Sequence, residues 1–159
     1  TGGFTDVLLQ ANARKVYAVD VGRGQLDWSL RNDPRVVVLE GVNARYLDGS
    51  TIAEAPSLIV CDASFIGLET LLPAPLALAE AGAILIALIK PQFEVGKGRV
   101  GKGGVVRDPV LHEEVCERIR SWLENDRGWH VLGVAESPLT GPKGNKEFLI
   151  AARLAGRDV

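Results

Sequence analysis

Two stretches of this chain, Ser57–Asp62 (SLIVCD) and Ala83–Lys90 (AILIALIK), run almost wholly apolar and then stop on a charge. Uninterrupted apolar strands are what a parallel sheet buried on both faces requires. Lys15–Asp20 (KVYAVD) and Arg35–Leu39 (RVVVL) are shorter strands of the same kind. Helical patterns lie between them at Phe4–Ala13, Gln25–Arg31 and Leu68–Glu80, the last interrupted by Pro73 and Pro75. Phe4, Val7, Leu8 and Ala11 give the first helix its apolar face, and Thr5 and Asp6 fall in its first turn, where a negative charge suits the helix dipole. Asp108–Asn125 is the clearest helix, with Val110, Leu111, Val115, Ile119, Trp122 and Leu123 predicted as one stripe. His130–Val134 and Lys146–Arg153 are two more strands, joined by a proline- and glycine-bearing turn over Ser137–Asn145 that suits a final hairpin. Strand and helix alternate almost throughout, which predicts an α/β open sheet.

The bulk numbers narrow the class. With 159 residues, 47% hydrophobic and 24% charged, the chain suits one soluble globular domain with a normal core. A net charge of −2 gives no global basic signature for nucleic acid, so any RNA contact must come from a local patch or another domain. Cys61 and Cys116 match no metal spacing, with His112 and His130 the available partners; they read as buried, reduced thiols of a cytosolic protein that holds no metal. The longest apolar run, Ala81–Ile89, is too short to span a bilayer, and the first residues show neither a basic n-region nor an h-region. The chain opens at Thr1 directly on Gly2-Gly3 and a helix pattern, with no strand ahead of it, so an N-terminal portion is expected to precede it.

Charged residues collect where the strands end. In doubly wound sheets ligands bind in the crevice at the carboxyl ends of the strands. Asp62, Lys90 and Glu147 each fall at a predicted strand end or start, and an amine between two carboxylates could deprotonate and position a hydroxyl. A helix cap for Asp62, a lysine reaching out to solvent for Lys90 and a solvent-facing charge for Glu147 are the plainer readings. Gly2 and Gly3 ahead of a helix let a ligand approach the backbone closely. Asp20, 17 to 18 residues later at the end of the next strand, stands where such folds hold a ribose diol.

Between Lys90 and Arg107 five cations (Lys90, Lys97, Arg99, Lys102, Arg107) stand against Glu94. A basic, glycine-rich loop at the sheet rim suits a phosphate backbone, although a solvated mobile loop has the same composition. Gly96–Gly103 nearly matches a phosphate-binding P-loop. Gly103 replaces the Ser or Thr that would hold magnesium, and the flanking strand and helix are misplaced, so an NTPase reading fails.

Taken together, Thr1-Gly-Gly-Phe-Thr-Asp6, Lys15–Gly22, Asn43-Ala-Arg45, Ile89-Lys-Pro-Gln-Phe-Glu94 and Gly141-Pro-Lys-Gly-Asn-Lys-Glu147 resemble the TlyA family. These are FtsJ-like, S-adenosylmethionine-dependent ribosomal RNA 2′-O-methyltransferases, some of them named haemolysins. The resemblance implies a Rossmann-like methyltransferase fold, a mostly parallel sheet with an antiparallel last strand, whose first strand and S4-type RNA-binding domain lie outside residues 1–159. It implies a Lys-Asp-Lys-Glu catalytic set, with Asp62, Lys90 and Glu147 as three members and a lysine upstream of Thr1 as the fourth. It further implies cofactor contacts from Gly2, Gly3, Phe4, Asp20, Asn43 and Asp62. With the basic loop, it points to ribosomal RNA or ribosomal subunits as partner, through Lys97, Arg99, Lys102 and Arg107, and to a cytoplasmic location. Asp62-Ala-Ser-Phe65 stands where amino methyltransferases carry an Asn-Pro-Pro-Tyr-like motif, which disfavours base N-methylation. A truncated domain that folds but is catalytically dead is one alternative, and two rivals come from other classes. A nicotinamide-dependent oxidoreductase would share the glycines and Asp20 but leave Lys90 unexplained. A membrane-active haemolysin would need an amphipathic or membrane-length segment.

Overall fold

The computed structural model describes residues 2–156, which fall into two compact units dividing after Glu54. In the first unit, helix α1 (Gly3–Gln10) leads into strand β1 (Val16–Asp20), a short helix α2 (Trp28–Arg31) and strand β2 (Val36–Glu40). β1 and β2 pair in parallel, from Val16 opposite Val36 to Asp20 opposite Glu40. Leu9, Val16, Leu30 and Val36 form the small core between helices and strands. Gly2 caps α1 in the left-handed region at φ 92°, and an added methyl there would collide with the Leu26 and Leu30 side chains. Glycine is therefore needed both for the backbone and for the packing.

The second unit carries a four-stranded sheet in the order β3-β4-β6-β5. Its strands are β3 (Leu58–Cys61), β4 (Ile84–Ile89), β5 (Trp129–Glu136) and β6 (Phe148–Leu154). β3 and β4 are parallel, while β6 runs antiparallel to both β4 and β5. The last strand is thus inserted antiparallel, and it forms the expected hairpin with β5. On β4 the face of Leu85, Ala87 and Ile89 is fully buried, together with Ile150 and Ala152 of β6. Burial of each such Leu or Ile contributes about 1.5–3 kcal/mol. The opposite face, Ile84, Ile86 and Leu88, is only partly buried, so the uninterrupted apolar run overstates how completely both faces are covered.

Helices α3 (Leu68–Leu71) and α4 (Pro73–Leu78) replace the single interrupted helix predicted there, with Pro73 opening the second at a position where a missing N–H costs nothing. The stretch after Lys90 is also helical at first. Pro91 opens a four-residue helix α5 (Pro91–Glu94) at the head of the glycine-rich loop. Helix α6 (Pro109–Ser121) is capped by Asp108, whose side chain accepts from the Val110 N–H, and it runs on into a wide turn over Trp122–Asp126. That cap sets a buried face of His112, Val115, Ile119 and Leu123. Val110, assigned to the stripe on the sequence, is 67% exposed.

Candidate active site

Lys90 directly follows β4, and Asp62 follows β3, its parallel neighbour. The two charges therefore emerge at one rim. Lys90 Nζ lies 2.5 Å from Asp62 Oδ1 and donates to Ser64 Oγ at 3.2 Å. Lys90 is 8% exposed, whereas the Asp62 side chain is half-exposed. A buried ammonium needs such a counterion. Across the sheet, Ile89 of β4 pairs with Phe148 of β6. One register step beyond that pair lie Lys90 and Glu147, so the antiparallel insertion brings the third charge to the same rim. Glu147 is buried and accepts from Gln92 Nε2 at 3.0 Å. The three predicted residues are thus carried to one edge of the sheet by three adjacent strands.

Glycine at 141 makes room for that carboxylate. A methyl at Gly141 would overlap the Glu147 carboxyl group. Gly141→Ala is expected to displace Glu147 while leaving the fold intact. If Glu147 serves the reaction, turnover should fall by up to about 10²-fold, the usual cost of a displacement of about 1 Å. Steady-state kinetics with a melting curve checks this; unchanged turnover would remove Glu147 from the reaction.

Polar side chains outside the predicted trio hold the site, and none of them was legible as such in the sequence. Asn145, buried at 3% exposure, uses every part of its amide. Its Oδ1 accepts from the Val106 N–H, and its Nδ2 donates to the carbonyls of Gly104 and Pro142. From α6, His112 Nε2 meets the Val106 carbonyl at 2.7 Å. Val106 is thus gripped at both its N–H and its C=O, and the glycine-rich loop is docked against the segment that leads to Glu147. Glu94 at the end of α5 accepts from the Leu68 N–H and pairs with Arg118 of α6. Burial lifts its carboxyl above the usual range, while the Leu68 N–H and Arg118 pull it back. Burial also pushes the Cys61 thiol up to about 12 and Cys116 up to about 11, so both are inert thiols at neutral pH.

The expected RNA contacts divide. The Arg99 guanidinium is bound by both carboxylate oxygens of Glu114, at 2.9 and 2.7 Å, and Arg107 donates to the Lys102 carbonyl. Lys102 is exposed, and the Lys97 side chain lies outside the described residues. Phe65, three residues after Asp62, is 89% exposed with a left-handed φ of 67°, and its ring packs on Phe93 at 4.9 Å. A bulky non-glycine residue held in that region, with its aromatic ring turned to solvent, is uncommon and makes Phe65 a candidate site residue.

In the first unit, Asp20 ends β1 and is exposed. One of its carboxylate oxygens accepts from the Gly22 N–H at 2.9 Å. Asn43 follows β2 and caps a short turn by accepting from the Arg45 N–H. The Asp20 carbonyl takes the Val42 N–H, so the loops carrying Asp20 and Asn43 are neighbours at the carboxyl ends of two parallel strands. Gly3 has open space where a side chain would begin, and Phe4 follows it in the first turn of α1. No group of three or more His, Cys, Asp or Glu side chains among the described residues could hold a metal ion, and no described helix is long and apolar enough to cross a membrane.

A mixed sheet with an inserted antiparallel strand, and charges gathered at its rim, define a Rossmann-like methyltransferase domain. The FtsJ-like methyltransferase family model matches residues 1–154, and the chain belongs to that family. It is 54% identical over 158 residues to the 16S/23S rRNA (cytidine-2′-O)-methyltransferase TlyA of Mycobacterium tuberculosis, covering 96% of this chain and 57% of that protein. A crystal structure from Lactococcus lactis that carries a hemolysin name superposes with a TM-score of 0.93 at 42% identity, over 99% of this chain and 75% of that one. The N-methyltransferase NodS of Bradyrhizobium japonicum shares the fold alone, with a TM-score of 0.63 at 12% identity, over 97% of this chain and 80% of that one. The chain spans a little over half the length of the first curated relatives it matches.

Proposed function

We propose that this domain is the catalytic part of an S-adenosylmethionine-dependent ribosomal RNA 2′-O-methyltransferase. The observation that carries the reading is the buried Lys90 amine, paired with Asp62 at a rim that Glu147 shares. A ribose hydroxyl is a poor nucleophile until its proton is shared or removed. Once the Lys90 ammonium has given a proton to solvent, the free amine takes the hydroxyl proton as the methyl is transferred; Asp62 orients the amine, and Glu147 completes the hydrogen-bonding set. When bound, S-adenosylmethionine supplies a methyl group already activated by its sulfonium. The protein's own contribution is alignment and a base. Phe65 suits a stacking platform for an unpaired base, and Lys102 suits the phosphate backbone. In this proposal the fourth catalytic residue, a lysine, and an S4-type RNA-binding domain belong to the full-length protein outside these residues.

The cofactor assignment is open to direct test. Among the described residues one Asp20 carboxylate oxygen has no partner, which fits a ribose diol, and the Asn43 amide N–H2 suits the edge of an adenine; Gly2, Gly3 and Phe4 would lie along the cofactor. Calorimetric titration of the full-length protein should show binding of S-adenosylmethionine and none of NAD. Asp20→Ala should weaken that binding by about 10- to 100-fold, the value of hydrogen bonds to a charged group. Binding of NAD in its place would replace this reading with an oxidoreductase.

A further inference from the structure

Gln92 lies two residues past Lys90, on α5, and its Nε2 donates to Glu147 Oε2 at 3.0 Å. Its Oε1 is buried and, among the described residues, has no hydrogen-bond partner. The carboxylate fixes which end of the amide faces it, because the reverse orientation would set two acceptors against each other. A buried carbonyl without a donor is unfavourable and uncommon. Here it stands beside a carboxylate of the proposed site, covered by protein, so a substrate donor reaches it only after neighbouring side chains shift.

We infer that Gln92 is a positioning residue for the reaction proposed above, on which this inference rests. Its Nε2 holds Glu147 in place, and its Oε1 accepts a hydrogen bond from a hydroxyl or amine of the RNA nucleotide being modified. The neighbouring charges have other partners. Lys90 pairs with Asp62, Glu94 on the same helix turns to Arg118, and Lys146 beside Glu147 pairs with Glu136.

Two variants of the full-length protein separate the two ends of the amide. Gln92→Glu keeps the shape and the acceptor but has no donor for Glu147 until it is protonated. Gln92→Met keeps the length and removes both. With ribosomal RNA as substrate, Gln92→Glu should lose about 10- to 100-fold in kcat at pH 8, in line with loss of alignment. It should regain activity relative to wild type as the pH falls, because two adjacent carboxylates then share a proton, and its RNA KM should stay near that of wild type. Gln92→Met should lose kcat at every pH and raise the RNA KM. A circular dichroism spectrum and cofactor affinity unchanged in both variants show that they are folded. A Met variant with wild-type kcat and KM, or a Glu variant with a wild-type pH profile, would overturn the inference. Melting curves test the contact independently of the reaction: relative to wild type, Gln92→Glu should lose stability as the pH rises. Parallel curves would remove the Gln92–Glu147 contact, whereas a wild-type protein that makes no ribose methyl would sink the reaction itself.

Discussion

Replacing Lys90 with alanine is expected to lower methyl transfer by about 10²–10⁴-fold, the range that a positioned general base supplies. Lys90→Arg separates basicity from charge. Arginine keeps a cation beside Asp62 but cannot be deprotonated in a protein, so it should be nearly as inactive as alanine. S-adenosylmethionine affinity should change little in either variant, since the proposed contacts Gly2, Gly3, Phe4, Asp20 and Asn43 belong to the first compact unit and Lys90 to the second. Asp62 is half-exposed, so water can solvate it when its partner is lost and the fold should survive. Single-turnover kinetics on ribosomal RNA, with calorimetry of cofactor binding, reads both quantities. Near-normal turnover by the arginine variant would exclude a proton-accepting role and leave Lys90 an electrostatic one.

The second large effect falls on stability. Asn145→Asp preserves size and keeps an acceptor for the Val106 N–H. It also sets an oxygen against the carbonyls of Gly104 and Pro142, where the amide donated to both. Two lost donors and a new repulsion should cost about 2–4 kcal/mol. For a chain of this size that is a fall of roughly 5–15 °C in Tm. His112→Ala removes the hydrogen bond that holds Val106 from the other side. Since both side chains grip one residue, Val106, the double variant should be non-additive by about 0.5–3 kcal/mol. Thermal and denaturant unfolding of the four proteins measures this. An Asn145→Asp protein as stable as wild type, or strict additivity, would show that the loop is not clamped in this way.

Several parts of this account were readable in the sequence. β3 and β4 were visible because each apolar run ends on a charge, and that same boundary placed Asp62 and Lys90 at the rim. The hairpin of β5 and β6 followed from its turn residues, and Glu147 came with it. What the sequence hid depends on long-range pairing. Gln92 meets Glu147 across 55 residues, and Asn145 meets Val106 across 39. A neutral amide shows no pattern until its partner is known. His112 was hidden because it interrupts an otherwise apolar helix face, and its burial is set by the Val106 carbonyl. Helix α5 was hidden because Pro91, which opens it, reads as a breaker when only four residues follow. The partners of the basic loop's charges were hidden as well. Composition gives the charges at Arg99 and Arg107, whereas folding commits the first to Glu114 and the second to its own loop.

The chemistry of the product tests the central claim most directly. Ribosomal RNA from cells with and without the full-length gene, and from cells carrying Lys90→Ala, can be digested to nucleosides and the added methyl located by mass. The account predicts a methyl on a ribose 2′-oxygen that requires the wild-type gene and disappears with Lys90→Ala. A methyl on a base, or a ribose methyl that persists in the alanine variant, would contradict it.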